Sequence, residues 1–392
     1  MRRAVRRLGN GTDCAELVLI FLYGTLRHAP LLAAVLGRDL TPTPARAPGW
    51  RVAAVEGEVF PVLVRDPGSV AEGILISETG DDRDRLDFYE LGFGYVLDPI
   101  TVETDSGPVE ALVYHAAPGA WPPAGDWSLD GFAEGPGEMT VIAAASYMRL
   151  WPKVPADQAA AQYPNILHRA ASRLRARRDQ KPPGIRRADG AVETLDERRP
   201  YRHFFEVSES DLRFRRFDGG FSPSVNRAAW VMSDAVTVLP YDPVRDRALV
   251  IEQFRYSPIV RGDANPWSVE PIAGRIDAGE EPEDACHREC LEEAGLKLSR
   301  LLYVGRYYPS PGAVSEYLYS YIGIADLPDA AAGLGGLDVE HEDIRAHILK
   351  FDALLALVDE DQADNAPLIL SILSLARMRD RLRAEAGVSG WA

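Results

Sequence analysis

Three glutamates in the second half of the chain, Glu289, Glu292 and Glu293, have the spacing of neighbours on a helix. Residues three or four apart lie on one helical face, with Cβ atoms about 5–6 Å apart. Such close negative charges repel one another and destabilise the helix unless a cation compensates them. Carboxylate oxygens are the ligands that Mg²⁺ prefers. Arg288, four residues before Glu292, is placed to hold that carboxylate.

A glycine-containing loop leads into this helix. Gly274 and Gly279 permit a tight backbone path. Pro282 suits the first helical position, and Gly295 suits the residue that ends the helix. An acidic helix face beside such a loop is what a metal–pyrophosphate site requires.

The elements around this loop and helix follow from the pattern of apolar residues. Alternation or short apolar runs predict strands, and longer segments with helical periodicity predict helices. In the second half we expect strands at 228–239, 247–252, 301–308 and 316–324, and helices at 351–358 and 366–384. In the first half we expect strands at 17–22, 51–60, 70–77, 95–103 and 109–115, and helices at 29–37, 137–150 and 156–178. A run rich in charge and proline, 181–200, reads as a linker.

Composition narrows the class of protein. A chain of 392 residues suits two domains. Its net charge of −16 argues against binding to a nucleic acid, whose phosphates need basic surfaces. The three cysteines indicate no disulfide framework and fit a reducing cytoplasm. We expect no secretory signal, because the apolar run 17–22 is short and follows the acids Asp13 and Glu16. We expect no membrane span, because no run of 18 apolar residues is present.

The glycine loop and acidic helix resemble the Nudix box position by position. The pattern is Gly274, five residues, Glu280, seven residues, Arg288-Glu289, then Glu292-Glu293, one residue and Gly295. Cys290 departs from the usual aliphatic residue but is a small hydrophobe that should pack equally well. The segments around the box resemble those of ADP-ribose pyrophosphatases, and the resemblance extends over residues 201–385. The segments that carry it are 251–255, Trp267, 270–274, 310–312 and 340–344.

This resemblance implies a set of site residues. The metal would be Mg²⁺, with Mn²⁺ as the alternative, and its ligands would be the carbonyl of Ala273 and the side chains of Glu289, Glu292, Glu293 and Glu342. Glu340 would activate the attacking water. The substrate-binding residues would be Arg255, Glu270, Arg288 and Gly312.

A second resemblance covers residues 19–115. The turn Tyr23-Gly24-Thr25-Leu26 follows a strand, and it is followed by Phe60-Pro61, by 73–76 and by 86–95. This order resembles the γ-glutamylcyclotransferase-like (AIG2-like) family, a small β-barrel with helices. The resemblance implies that Tyr23, Gly24, Thr25 and Leu26 bind the substrate and that Glu90 moves the proton. Leu97 departs from the basic residue that is frequent there.

The sequence thus predicts an α/β (α+β) protein with a cyclotransferase-like domain at 1–118, a helical extension and linker at 119–195, and a Nudix α/β/α sandwich at 196–392. The expected activity is hydrolysis of ADP-ribose to AMP and ribose 5-phosphate in the cytoplasm. Residues 201–220 could form a homodimer interface. Three alternatives stay open: another nucleoside diphosphate sugar as substrate, γ-glutamyl cyclisation as the main activity, and a sensor that binds without turnover.

Overall fold

The computed structural model describes residues 18–179, 184–185, 190–336 and 343–388. The chain divides into two units, 1–166 and 167–392. No helix in the described ranges is both long and apolar enough to cross a membrane.

The first unit is built on a closed five-stranded barrel. Each strand pairs with two others, in the circular order β1, β3, β2, β4, β5 and back to β1, and a short sixth strand pairs with β2. The strands are β1 (Leu19–Leu22), β2 (Thr43–Val55), β3 (Pro61–Ser77), β4 (Tyr95–Thr104), β5 (Gly107–Ala116) and β6 (Pro123–Asp126). Full closure leaves the barrel without an unpaired edge.

Helices follow the barrel strands. They are α1 (Ala29–Leu36), α2 (Asp82–Glu90), α3 (Leu129–Glu134), α4 (Gly137–Tyr147), α5 (Ala156–Ala160) and α6 (Tyr163–Arg178). The predicted strand 51–60 is wrong beyond residue 55, because a turn closed by Glu58 N–H donating to the Val55 carbonyl joins β2 to β3. The predicted helix 156–178 is two helices, and α6 restarts at Tyr163-Pro164, where a proline costs no hydrogen bond.

The second unit starts within α6 and contains a three-stranded antiparallel sheet. Its strands are β7 (Val192–Arg202), β8 (Glu206–Phe214) and β9 (Val225–Val231). The prediction of a linker up to Pro200 is therefore wrong from residue 192 onward. Pro200 is tolerated in β7 because it falls where the pairing with β8 shifts, between Arg198 and Tyr201.

An eight-stranded mixed sheet forms the centre of this unit. Its main path runs β14-β15-β10-β11-β17-β16, with β12 paired to β11 and β13 paired to β10. The strands are β10 (Ala235–Asp242), β11 (Arg247–Phe254), β12 (Trp267–Glu270), β13 (Ile272–Arg275), β14 (Arg300–Tyr307), β15 (Leu318–Ile324), β16 (Gly333–Gly335) and β17 (Ile344–Lys350). The helices are α7 (Tyr256–Arg261), α8 (Pro282–Ala294), α9 (Phe351–Asp359) and α10 (Ala366–Glu385).

Two hydrophobic cores flank the central sheet. One joins the sheet to α8 through Ala285, Cys286 and Cys290, all fully buried. The other joins the opposite face to α9 and α10, with Leu354 and Leu375 among its members. This is the predicted α/β/α sandwich. The predicted strand 228–239 is wrong as a single element, because β9 and β10 belong to different sheets.

Candidate functional site

Helix α8 positions the acidic residues of the predicted metal site. Pro282 opens it, the side chain of Glu281 makes no cap, and Gly295 ends it in the left-handed conformation with φ of 62°. Its core face carries Cys286 and Cys290, both 0% exposed, so they pack as hydrophobes. Burial of this face fixes the rotation of the helix and hence the direction of its glutamates.

Arg288 is the centre of an ion-pair network on α8. Its guanidinium forms a two-pronged pair with Glu280, with Nε–Oε1 and Nη2–Oε2 distances of 3.0 Å. Nη1 also donates to Glu289 at 2.7 Å and to Glu292 at 3.0 Å, which confirms the predicted contact with Glu292. Nη2 donates to the Arg275 carbonyl at 2.9 Å. Its hydrogen bonds to Glu280 raise the pKa of Arg288, so this cation is permanent.

Gly274 leaves room for the carboxylate of Glu289. A Cβ at residue 274 would lie 1.9 Å from Oε1 and 2.0 Å from Cδ of Glu289, far inside contact distance. Only glycine, which has no Cβ, is compatible with this packing. Glu289 is 9% exposed, and Ala273, whose carbonyl is the predicted backbone ligand, is the residue before Gly274. The carboxylate is therefore held against the loop backbone.

Glu293 lies deeper than the other two predicted ligands on α8. It is 3% exposed, whereas the side chain of Glu292 is 33% exposed. The backbone of Gly335 in β16 packs on the same turn of α8, since a Cβ at residue 335 would meet the Glu293 carbonyl at 2.1 Å. Glu293 is thus enclosed between α8 and β16.

These residues fit a hard dication in their donor chemistry and in the space that Gly274 provides. The donors are carboxylates, as Mg²⁺ requires. Among the residues that the structure describes, no three carboxylate, imidazole or thiol groups already converge as a metal cage. Arg288 instead donates hydrogen bonds to one carboxylate oxygen of Glu289 and to one of Glu292. Glu340 and Glu342 lie outside the described residues.

The predicted substrate residues Arg255 and Glu270 form an ion pair. Nε and Nη2 of Arg255 donate to the two oxygens of Glu270 at 3.0 and 2.9 Å. Adjacent strands bring them together, since β11 pairs with β12. Glu270 is 6% exposed, which leaves the guanidinium as the accessible partner. Gly312 lies in an exposed turn and contacts neither residue in the described hydrogen-bond network.

Glu316 is a further acidic residue near Arg255 that the sequence did not single out. Burial raises the pKa of Glu316, and the charge of Arg255 opposes the shift. It precedes β15 and follows the predicted substrate turn by four residues. The sequence signal that could have identified Glu316 is its place at the start of the predicted strand 316–324, shortly after the Ser-Pro-Gly turn at 310–312.

The first unit brings its predicted turn and Glu90 together. Thr25-Leu26-Arg27 form one turn of 3-10 helix after β1, with Gly24 at its start. A Cβ at Gly24 would lie 3.0 Å from Cγ of Pro61. The Pro61 carbonyl accepts a hydrogen bond of 3.0 Å from the Tyr95 hydroxyl. The turn is therefore packed against the start of β3.

Glu90 ends α2 among tyrosines. Burial raises the pKa of Glu90 to about 8. The hydroxyls of Tyr23, Tyr95 and Tyr147 are within electrostatic range of this carboxyl, and burial raises the pKa of each of them. At neutral pH these hydroxyls are uncharged. A carboxyl with a pKa of about 8 can both accept and release a proton during a reaction near neutral pH.

The comparisons with known proteins match a different family model to each unit of the chain. A family model described as NUDIX domain matches residues 232–371, and one described as gamma-glutamyl cyclotransferase, AIG2-like, matches 20–129. The ADP-ribose pyrophosphatase of Escherichia coli (strain K12) is 36% identical over 194 residues, which cover 50% of this chain and 92% of that protein. The chain belongs to the Nudix family.

Two further relatives each match less than half of the chain. The ADP-ribose pyrophosphatase of Haemophilus influenzae is 32% identical over 183 residues, covering 46% of this chain and 84% of that protein. A GDP-mannose pyrophosphatase of Escherichia coli O1:K1 is 28% identical over 156 residues, covering 39% and 80%. The second unit is thus a Nudix hydrolase, joined to an AIG2-like barrel.

Proposed function

We propose that the Nudix unit hydrolyses the pyrophosphate bond of ADP-ribose to AMP and ribose 5-phosphate, with Mg²⁺ as its cofactor. The observation that carries this proposal is the fixing of Glu289 between Gly274 and Arg288, beside the buried Glu293. Two relatives named ADP-ribose pyrophosphatase favour this substrate, and the relative named GDP-mannose pyrophosphatase keeps other nucleoside diphosphate sugars as the alternative.

The predicted site residues have different parts in the proposed reaction. Glu289, Glu292 and Glu293, with the Ala273 carbonyl and Glu342, would hold the metal, which would neutralise diphosphate charge and lower the pKa of water. Arg288 fixes the orientation of the carboxylates. Arg255 would bind the substrate phosphates, because Glu270 holds its guanidinium in one orientation. Glu340 would accept the proton of the attacking water.

A product assay tests this proposal. The full chain is incubated with ADP-ribose and, separately, with GDP-mannose, in Mg²⁺ or in EDTA, and the nucleotide products are quantified. We expect AMP from ADP-ribose only with Mg²⁺, and no product from a Glu293→Gln variant. If GMP is released from GDP-mannose faster than AMP is released from ADP-ribose, GDP-mannose is the preferred substrate of the two. Binding of ADP-ribose without AMP release would instead support the sensor alternative.

The first unit favours a second activity, the release of 5-oxoproline from a γ-glutamyl amine. In this reaction the substrate α-amino group attacks its own γ-carbonyl carbon, and the bond to the leaving amine breaks. Glu90 would take the proton from the attacking nitrogen and return it to the leaving nitrogen. A pKa of about 8 suits both transfers. The turn Tyr23–Leu26 would bind the amino-acid end of the substrate.

A panel of γ-glutamyl amines, assayed for 5-oxoproline, tests the second activity. We expect release by the wild-type chain and none by Glu90→Gln. Equal rates of 5-oxoproline release by the wild type and by Glu90→Gln would show that Glu90 takes no part in the reaction. If no member of the panel releases 5-oxoproline, the barrel does not have this activity.

We also propose a homodimer through residues 201–220. Large apolar side chains in this segment are exposed, at 57% for Phe204 and 93% for Phe217. Sedimentation analysis of the wild type and of a Phe204→Asp, Phe217→Asp variant is the test. We expect a dimer and a monomer respectively, and a monomeric wild type would refute the interface.

A further inference from the structure

A cavity of about 490 Å³ opens on the barrel of the first unit. Its wall comes from the turn after β1, from β2 and β3, and from the segment 127–130 that leads into α3. Small-molecule sites have cavities of this order of size. The described lining contains neither Glu90 nor any residue of the turn Tyr23–Leu26, so the cavity is distinct from the candidate cyclotransferase site. The residues that matter below are Arg27, Val52, Val70, Glu72, Trp127 and Asp130.

An irregularity in the barrel creates part of this wall. Residues 66–69 of β3 lie opposite a single residue of β2, Gly49, where the pairing of the two strands shifts. Gly49 has a φ of 79°, a conformation that glycine adopts without strain. The Ser69 hydroxyl donates a hydrogen bond of 2.7 Å to Asp66, which holds the extra residues together. Such a bulge bends its strand, and the stretch of β3 from Ser69 onward lines the cavity.

Arg27 brings a cation to the cavity that no described residue neutralises by contact. Its Nε atom is buried and has no hydrogen-bond partner. In the described ranges its side chain forms no ion pair either. Burial lowers the pKa of Arg27, and the charges of Glu72 and Asp130 oppose this shift from a distance. An N–H group withdrawn from water without an acceptor is unfavourable, so the oxygen of a bound anion would stabilise this side chain.

Two other charged residues of the lining already have partners. The nitrogens of Arg51 lie 3.7 Å from an oxygen of Asp66 and 3.5 Å from one of Asp126. Glu72 accepts a hydrogen bond of 3.1 Å from Arg46. These ion pairs offset the charges of Arg51 and Glu72, which leaves Arg27 as the cation that a ligand can engage.

Asp130 is the acid that a ligand can engage in the same cavity. It is exposed, and within the described part of the chain its carboxylate has no hydrogen bond and no ion pair. The cavity therefore offers one cation, Arg27, and one anion, Asp130. A phosphate would be attracted by the first and repelled by the second and by Glu72. A molecule that carries one carboxylate and one ammonium group complements both charges.

The cavity also has an apolar surface. The indole Nε1 of Trp127 donates to the Val59 carbonyl at 3.2 Å, which fixes the ring. Val70 is 52% exposed, and Val52 lines the cavity beside it. An apolar group of the ligand would remove this surface from water.

We propose that this cavity binds a free α-amino acid with an apolar side chain, whose carboxylate pairs with Arg27 and whose ammonium group pairs with Asp130. The side chain of the amino acid covers Trp127 and Val70. The guanidinium group suits a carboxylate because it presents paired donors to both oxygens. The site does not depend on either of the proposed reactions.

Titration calorimetry of the full chain with L-leucine tests the site. We expect binding by the wild type. N-acetyl-L-leucine lacks the ammonium charge and L-leucinamide lacks the carboxylate, so each should bind about tenfold or more weakly than L-leucine. Glycine lacks the apolar side chain and should also bind about tenfold or more weakly. Equal binding of L-leucine and any of these three compounds would overturn the proposed mode of recognition.

Variants of the two charged residues locate the binding. Arg27→Met keeps the length and removes the charge, and it should weaken L-leucine binding about tenfold or more. The matched control is Arg381→Met, an exposed arginine of α10, which should bind L-leucine as the wild type does. Asp130→Asn changes an exposed side chain and leaves the core intact. It should weaken binding of L-leucine but not of N-acetyl-L-leucine, which has no ammonium group to lose.

Two further variants complete the test. Asp105→Asn, in the exposed turn between β4 and β5, is the matched control for Asp130→Asn and should not change binding. Glu90→Gln should also retain L-leucine binding, which separates this cavity from the candidate cyclotransferase site. Absence of L-leucine binding by the wild type, equal binding by Asp130→Asn, or loss of binding in Glu90→Gln would overturn the proposal.

Discussion

Glu289 in the second unit and Glu90 in the first are both helix carboxylates, but their surroundings differ in charge. Glu289 accepts a hydrogen bond from Arg288, a permanent cation that also holds Glu280 and Glu292. Glu90 has neutral tyrosine hydroxyls around it, and burial raises its pKa to about 8. A nearby cation favours the ionised carboxylate and burial favours the protonated one. The first environment suits a metal ligand and the second suits a proton carrier.

The largest expected effects come from two single variants, each of which is assayed for both activities. Glu293→Gln should lower the rate of ADP-ribose hydrolysis by about 10³-fold or more, because a charged ligand of the metal is lost. Glu90→Gln should lower 5-oxoproline release by about 10²–10⁴-fold, because the proton carrier is lost. Each variant should leave the other activity unchanged when both products are measured in one preparation. Loss of both activities in either variant would break the comparison.

Gly274→Ala is the next test, and it alters only the packing of Glu289. The added methyl group must displace the carboxylate, and a displacement near 1 Å costs about 10²-fold in rate. The measurement is kcat for ADP-ribose hydrolysis. Gly305→Ala is the matched control, because a Cβ there meets nothing within 4 Å and should leave kcat unchanged. An active Gly274→Ala enzyme would show that the position of Glu289 is unimportant.

Arg288→Lys sharpens the electrostatic side of the comparison. Lysine keeps the charge but loses the fork that pairs with Glu280, so hydrolysis should fall about 10- to 100-fold, as expected for residues that orient metal ligands. The apparent affinity for Mg²⁺, measured from the rate, should fall with it. An unchanged Mg²⁺ dependence would assign Arg288 to substrate binding alone.

The pH profile gives the smallest effect. Glu90 must be ionised to accept a proton, so 5-oxoproline release should rise with pH, with a midpoint near 8. Because the folded pKa lies above the ordinary value of 4.5, the folded state holds a proton that the unfolded chain releases first. The free energy of unfolding of the first unit should therefore fall between pH 4.5 and about 8. In Glu90→Gln this part of the decline should disappear.

The sequence predicted those parts of the site that depend on local spacing. The bounds of α8 followed from Pro282 and Gly295, and the Arg288–Glu292 contact from a spacing of four residues. The Arg255–Glu270 pair depends on the register of β11 with β12, which no local pattern reveals. Strand β7 was missed because its residues are charged, and its pairing with β8 decides its conformation.

The packing of Glu289 against Gly274 shows the same limit. The glycine was predicted from the motif, and its steric reason, the carboxylate at 1.9 Å from a would-be Cβ, required the structure. The surroundings of Glu90 were foreseen only in part. Its role in proton transfer was implied by the family resemblance, but Tyr23 and Tyr147 come from distant parts of the chain and required the structure.

The ion pairs of Arg288 have a consequence for the order in which the protein matures. This arginine is a built-in counterion for Glu280, Glu289 and Glu292. Small zinc domains, by contrast, acquire their fold only when the ion arrives. Here the folded chain itself supplies a positive charge to these carboxylates, so we expect newly made chains to complete the sandwich without a metal ion.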